Sequence, residues 1–273
     1  MNATTCSRTG AVILARLDSN RLPGKTLRPA LGRPMLAYTI DRVRCVRTPD
    51  RRVPDIVLAT SDRAVDDPLA EFAAECGIGL FRGSVADVAG RVAACAQLRE
   101  WDAFLRINGD SPFVDPATLS CALGLLAGHT PMPPSHGALW QGETELAGTE
   151  GSNAPASPAY ANAAPPDMVT NVLRRTFPKG LSVEACRTTA FLRGYAAMSR
   201  PEHHEHVTSY FYETRSVSLL NMLSRDHALG SIQLSVDTPD DFALFERMLA
   251  RMDQPHTEYA DYQILALYRE CFA

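Results

Sequence analysis

Through the first half of the chain, short apolar runs alternate with amphipathic segments. The run GAVILA, Gly10 to Ala15, is short, continuous and β-branched, and it ends in a polar loop containing Gly and Pro, which predicts a buried strand. After the loop, PMLAYTIDRVRCV puts Leu36, Ile40 and Val43 on one helical face, with Pro34 suited to the first turn. DIVLATSD then predicts a second strand, and DPLAEFAAECG a helix that Gly77 can close. GLF predicts a short strand, and SVADVAGRVAACAQL a helix in which Ser84 can cap and Val88, Val92 and Cys95 face inward. AFLRING predicts another strand, and DPATLSCALGLLAG a helix with Asp115 as cap and Pro116 in the first turn. Such alternation predicts an α/β fold, a mostly parallel sheet covered by helices on both faces. Ligands of such sheets collect beyond the carboxyl ends of the strands, so the tails ARLDSNR, ATSD and INGDSP are expected to converge on one crevice.

From Thr130 to Pro166 the periodicity disappears, and Pro, Gly, Ala, Ser and Asn dominate. This predicts a long flexible insertion, either a surface loop without a role or a substrate lid, with Trp140 as its one candidate anchor. Beyond it, DMVTNVL, LSVEAC, VSLLNML and SIQLSVD read as strands, and TTAFLRGYAAM and HEHVTSYFYE as helices. PDDFALFERMLARM has Phe242, Phe245 and Leu249 at core spacing, and a terminal helix is expected near Tyr259 to Cys271.

Composition narrows the function. A formal charge of −4 over 273 residues argues against a nucleic-acid binder working by bulk electrostatics. The seven cysteines are scattered and form no Cys-x-x-Cys pair, which fits reduced thiols better than a disulfide framework or a zinc site. No segment approaches the roughly 18 consecutive apolar residues of a membrane span. A soluble, cytoplasmic protein is expected.

The stretch ARLDSNRLPGKTL, Ala15 to Leu27, ends like a phosphate-binding P-loop, but Ser19 stands where that loop needs its first glycine. Pro23 has no amide hydrogen to offer, and Pro29 interrupts any following helix. What remains is Arg16, Arg21 and Lys25 on one loop after a buried strand. Three such cations can neutralise a triphosphate or can simply make a solvated basic loop.

Here the pattern Ala-Arg-x-x-Ser-x-Arg-Leu-Pro-Gly-Lys resembles the opening signature of the nucleotide-sugar cytidylyltransferases, the group of CMP-KDO and CMP-sialate synthetases. The SpsF-like enzymes of polysaccharide biosynthesis are its most similar branch. FRGSVADVAGRV, LRINGDSPFVDP, FPKGLSVEA, EHVTSYFYE and SVDTPDDFALFERM extend the resemblance over nearly the whole chain outside the insertion. It implies one domain, 1–273, with the Rossmann-like, three-layer α/β/α fold of nucleotide-diphospho-sugar transferases. It also implies a homodimer, with a dimerisation and substrate region around 167–223, and a magnesium-dependent transfer of CMP from CTP to a sugar acid or related acceptor.

Residue by residue, the resemblance implies that Ala15, Arg16, Ser19, Arg21 and Lys25 bind the nucleotide, with Arg16, Arg21 and Lys25 acting on its phosphates. Asp110 and Asp237 match the metal-binding aspartates of the family, and Asp110 is also counted as catalytic. By sequence alone each follows an expected strand, where an acidic residue is often only a helix cap, as Asp115 and Asp240 are read here. Thr60, Ser61, Asp62, Arg82 and Ser84 match segments that approach the nucleoside, although Ser84 reads equally well as a cap. Arg106 and Asn108, on the strand before Asp110, are placed in the same crevice.

For the acceptor, Lys179 beside Gly180 can meet a carboxylate, phosphate or phosphonate. Glu184 and His206 join it through the FPKGLSVEA and EHVT motifs. The run His203 to His206 lacks the His-Glu-x-x-His spacing of a zinc helix and is read as a surface helix start. Leu17-Asp18 stands where relatives often carry Met-Gly, putting a negative charge beside the proposed anion site. A phosphate or phosphonate acceptor, or a nucleotide-binding module without catalysis, are the other readings; a glycosyltransferase is disfavoured because no Asp-x-Asp motif is present.

Overall fold

The computed structural model describes residues 8–129, 138–146 and 164–272, the side chains of 141–146 excepted. The first strand, β1 (Thr9–Leu14), lies between β4 (Asp55–Ser61) and β6 (Ala103–Asn108), parallel to both. It is buried on both faces, which is why its apolar run is continuous rather than alternating. A short hairpin, β2 (Pro29–Ala30) and β3 (Arg33–Pro34), precedes helix α1 (Met35–Arg44). Next come α2 (Asp67–Glu75), β5 (Gly79–Gly83), α3 (Val88–Leu98) and α4 (Pro116–Leu126).

The second half adds β7 (Trp140–Leu146), β8 (Met168–Thr170), β9 (Glu184–Arg187) and β10 (Leu219–Ser224). Its helices are α5 (Thr188–Ala197), α6 (Pro201–His206), α7 (Ser209–Thr214), α8 (Pro239–Ala250) and α9 (Asp261–Phe272). The sheet order is β5-β4-β1-β6-β9-β8-β10-β7. Only β9 and β7 run against the rest, so the sheet is mostly parallel, as expected.

Adjacent residues of β1 enter different cores. Ile13 packs with Leu36, Ile40, Phe113 and Phe245 on one face, while Val12 packs with Val92, Phe104, Phe191 and Phe211 on the other. That division is the three-layer α/β/α architecture expressed in side chains.

Four local expectations change. Ser84 does not cap α3: Asp87 does, accepting from the Gly90 amide at 2.7 Å, while Ser84 accepts from the amides of Ala86 and Asp87 in the turn before. HEHVTSYFYE is two short helices, broken at Val207 where φ is +58°. Asp240 is no cap either, because Thr238 caps α8 in a reciprocal capping box with Asp241.

SIQLSVD forms no sheet strand. It is an extended strap bonded to Lys179 through the Ile232 carbonyl at 2.9 Å and the Leu234 amide at 2.7 Å, and to the Asp110 carbonyl through the Val236 amide at 2.9 Å. Within the expected flexible insertion, residues 140–146 form edge strand β7, antiparallel to β10, and Trp140 is 1% exposed. Trp140 is thus an anchor, while 130–137 and 147–163 lie outside the described residues.

Candidate active site

The first loop folds back on itself through Gly24, whose φ of +69° a larger side chain would strain. Its amide bonds the Leu17 carbonyl at 2.8 Å, and the Leu17 amide is held by buried Asp66 at 2.7 Å. This turn delivers Lys25, 7% exposed, beneath the carboxyl ends of the strands. At the end of β6, Gly109 bonds the Leu14 carbonyl at 2.8 Å, and a methyl there would meet Ala15 and Leu14 at 3.0 Å. The close approach brings Asp110 against the first loop.

Lys25 Nζ donates to Asp110 Oδ2 at 2.9 Å, Asp237 Oδ1 at 2.9 Å and the Val236 carbonyl at 2.8 Å. All three ammonium protons are therefore engaged. Arg21 adds a contact to Asp237 at 3.0 Å. Burial alone would raise the Asp237 carboxyl, but Lys25 and Arg21 outweigh it and hold it below the ordinary range. Two acids from distant segments thus converge on one cation.

Asp18 leaves no unbalanced charge at the site. It pairs with Arg63 at 2.7 Å and lies 3.5 Å from Arg16. Desolvation pushes its carboxyl up, and these two guanidiniums bring it below the ordinary value. The departure from Met-Gly works as a clasp between the first loop and the turn after β4.

A cavity of about 450 Å³ opens above these groups. Of the expected nucleotide residues, Ala15, Arg16, Ser19, Arg21, Lys25, Arg106 and Asn108 line it, together with Asp110, Asp237 and His206. Thr26 Oγ1 and the Nε atoms of Arg91 and Arg106 are buried in its wall without hydrogen-bond partners among the described residues, so the wall suits a polar, anionic occupant. Among the described residues no group of three or more His, Cys, Asp or Glu side chains could hold a metal. The Asp110 and Asp237 pair does suit a magnesium ion that takes its remaining ligands from phosphate and water, since both carboxylates already address one cation position.

Other expected residues lie elsewhere. Thr60 and Ser61 are fully buried, and Ser61 donates to Asp66. Arg82 staples the edge of the sheet, donating to the carbonyls of Ser61 and Arg63 and to Asp67. Asp62 is exposed, Ser84 serves its turn, and none of these five lines the cavity. Exposed Lys179 contributes its backbone to the strap.

Glu184 reaches a second cavity of about 290 Å³ that shares Arg106, Asn108, Glu205 and His206 with the first. Its carboxylate is saturated by Arg106 at 2.7 Å, Thr208 at 2.6 Å and Tyr212 at 2.5 Å. Burial opposes the Arg106 charge, yet Glu184 raises that guanidinium's pKa on balance; burial, with Glu184 adding to it, drives the Tyr212 phenol well up. Arg175 lines the same cavity, bonded to Ser182 at 3.3 Å.

The histidine run is structural at two positions. His203 is 4% exposed against Glu213 at 3.1 Å, and His204 bonds Asp87 at 2.9 Å, joining α6 to α3. Sequence reasoning missed Arg91, Glu205 and Arg175. Arg91 alone left a signal, a cation in the first turn of a helix that opens on the crevice.

Residues 11–131 match the sequence model of the cytidylyltransferase family. The spore coat polysaccharide biosynthesis protein SpsF of Bacillus subtilis is 37% identical over 108 residues, 40% of this chain and 45% of that protein. The 3-deoxy-manno-octulosonate cytidylyltransferase of Chlorobaculum tepidum is 31% identical over 122 residues, 45% of this chain and 47% of that one. The matched stretch spans less than half the length of these two curated relatives. A cytidylyltransferase structure from Leptospira borgpetersenii superposes with a TM-score of 0.74 at 20% identity, covering 96% of this chain and 94% of that one, and so shares the fold. Over residues 11–131 the chain is thus similar to the cytidylyltransferase family, and among its members to SpsF and a 3-deoxy-manno-octulosonate cytidylyltransferase.

Proposed function

We propose that the protein transfers CMP from CTP to a sugar acid or related small acceptor, releasing pyrophosphate, in polysaccharide or natural-product biosynthesis. The convergence of Asp110 and Asp237 on Lys25, in a cavity walled by Arg16, Arg21 and Arg106, carries this reading. Arg16 and Arg21 offer paired donors to the β- and γ-phosphates, and Lys25 joins them once released from the two acids. Asp110 and Asp237 would hold a magnesium ion, which when bound would offset charge on the phosphates. An acceptor oxygen attacks the α-phosphorus in line, and pyrophosphate leaves toward the first loop. Positioning and electrostatic stabilisation supply the rate, so no covalent enzyme intermediate is needed.

The acceptor lies in the adjoining cavity. Arg175 and Ser182 face its anionic group and His206 stands at the junction, while saturated Glu184 positions Arg106. A cytoplasmic homodimer completes the reading by family likeness. Pyrophosphate release, followed with each nucleoside triphosphate and a panel of sugar acids, phosphates and phosphonates, tests it. Turnover is expected with CTP and magnesium together; equal rates with ATP would overturn the cytidine assignment, and binding without turnover across the panel would overturn the enzyme.

A further inference from the structure

Arg91 is 6% exposed, lines the 450 Å³ cavity, and has no hydrogen-bond or ion-pair partner for its side chain among the described residues. It sits in the first turn of α3, where the helix dipole disfavours a cation. Helical side chains lean toward the helix amino terminus, here the cavity end, so the charge is directed at the crevice rather than along the core.

The surroundings compensate it only in part, through the carboxylates of Asp66 and Asp62. Desolvation lowers the affinity of its guanidinium for a proton, and Arg16 and Arg63 add to the effect. The acid that acts on it most strongly, Asp66, is occupied by the Leu17 amide and the Ser61 hydroxyl. An arginine stays charged under these conditions, so the fold carries a buried cation with no bonded counter-ion among the described residues.

We propose that Arg91 is a further nucleotide ligand, its guanidinium binding a phosphate oxygen of the triphosphate from the α3 side of the cavity that Arg16 also lines. This rests on the reading of the cavity as a nucleoside triphosphate site. It assigns α3 a direct part in holding the phosphate chain. The energetic cost of the ligand-free state is recovered when the anion enters.

Calorimetric titration of the full chain and of Arg91→Met with CTP, cytidine and inorganic tripolyphosphate tests this, alongside thermal melts without nucleotide. Removing a charged hydrogen bond is expected to weaken CTP and tripolyphosphate by about 10- to 100-fold and leave cytidine unchanged. The nucleotide-free melting temperature is expected to hold or rise, because an unpaired buried charge is gone. Arg91→Lys, which keeps the charge without the paired donors, is expected to fall between.

Unchanged CTP affinity, or an equal loss for cytidine, overturns the phosphate contact. A fall in the nucleotide-free melting temperature of both variants, with the ligand-induced rise intact, shows a structural role and overturns it too. Wild-type protein that prefers another triphosphate overturns the cytidine reading alone, with the Arg91 effect then read on that nucleotide. Wild-type protein that binds no triphosphate overturns both.

Discussion

Lys25→Met removes the cation that two carboxylates share while keeping most of the side-chain volume. In the wild type Nζ lies 2.9 Å from Asp110, 2.9 Å from Asp237 and 2.8 Å from a carbonyl, with the lysine side chain 9% exposed. Breaking one partner out of a fully buried ion pair costs about 3–5 kcal/mol. Here the acids keep 26% and 21% of their side-chain surface in water, and Arg21 stays beside Asp237, so the expected loss is reduced to about 2 kcal/mol. For a chain of this size that lowers the melting temperature by about 4–8 °C.

The loss carries a signature that packing defects lack. With the ammonium gone, the two acids repel each other and are open to a divalent ion, so magnesium is expected to stabilise Lys25→Met more than wild type. The pH dependence has a definite sign. The Asp237 carboxyl is pushed up by burial but held down on balance by Lys25 and Arg21. A depressed folded-state value stabilises above the unfolded aspartate range, about pH 4, and the benefit is lost as pH falls through the folded value. The stability gap between wild type and variant should therefore close in acid. Urea unfolding with and without MgCl2 at several pH values reads all of this. A variant as stable as wild type without metal, or an equal magnesium effect on both, would refute the shared-cation geometry.

Asp110→Asn and Asp237→Asn are each expected to cut turnover by several orders of magnitude with the circular dichroism spectrum unchanged; near-normal rates in either would remove that residue from the metal site. Glu184→Gln leaves Arg106 buried beside a neutral group, so a stability loss of about 3–5 kcal/mol is expected in urea. A change in acceptor KM without that loss would make Glu184 an acceptor ligand instead. Asp261 at the start of α9 is pushed up to about 7 by burial and by Asp115. Its protonated form stabilises the fold below the unfolded value, and that benefit is lost as pH rises from about 4 to about 7; Asp261→Asn should flatten this arm of the stability profile.

What the sequence reveals follows how local each feature is. β1, its loop cations and the Asp115 cap depend on neighbours a few residues away, and the structure keeps them. The strand β7 shows no period because it is an edge strand whose partner, β10, lies far along the chain. Ser84 and Asp87 are both capping residue types four residues or fewer from the helix start. Asp87 prevails because its carboxylate also serves Tyr195 at 2.8 Å and His204 at 2.9 Å, contacts that exist only after α5 and α6 have packed.

The division of the site follows the same dependence on locality. Residues on strand tails, such as Arg106, Asn108 and Asp110, could be assigned to the crevice because parallel strands deliver their carboxyl ends to one edge. At the strand end Thr60-Ser61 that rule overreached, since both residues are fully buried and neither lines the cavity: Ser61 donates to Asp66, and the Thr60 hydroxyl has no hydrogen-bond partner among the described residues. The opposite wall comes from helices: Arg91 on α3, and Glu205 and His206 on α6. Their place is set by the His204 to Asp87 strut between those helices. That strut gives the histidine run a role no metal motif would have supplied: it ties the helix that carries Arg91 to the helix that carries Glu205 and His206.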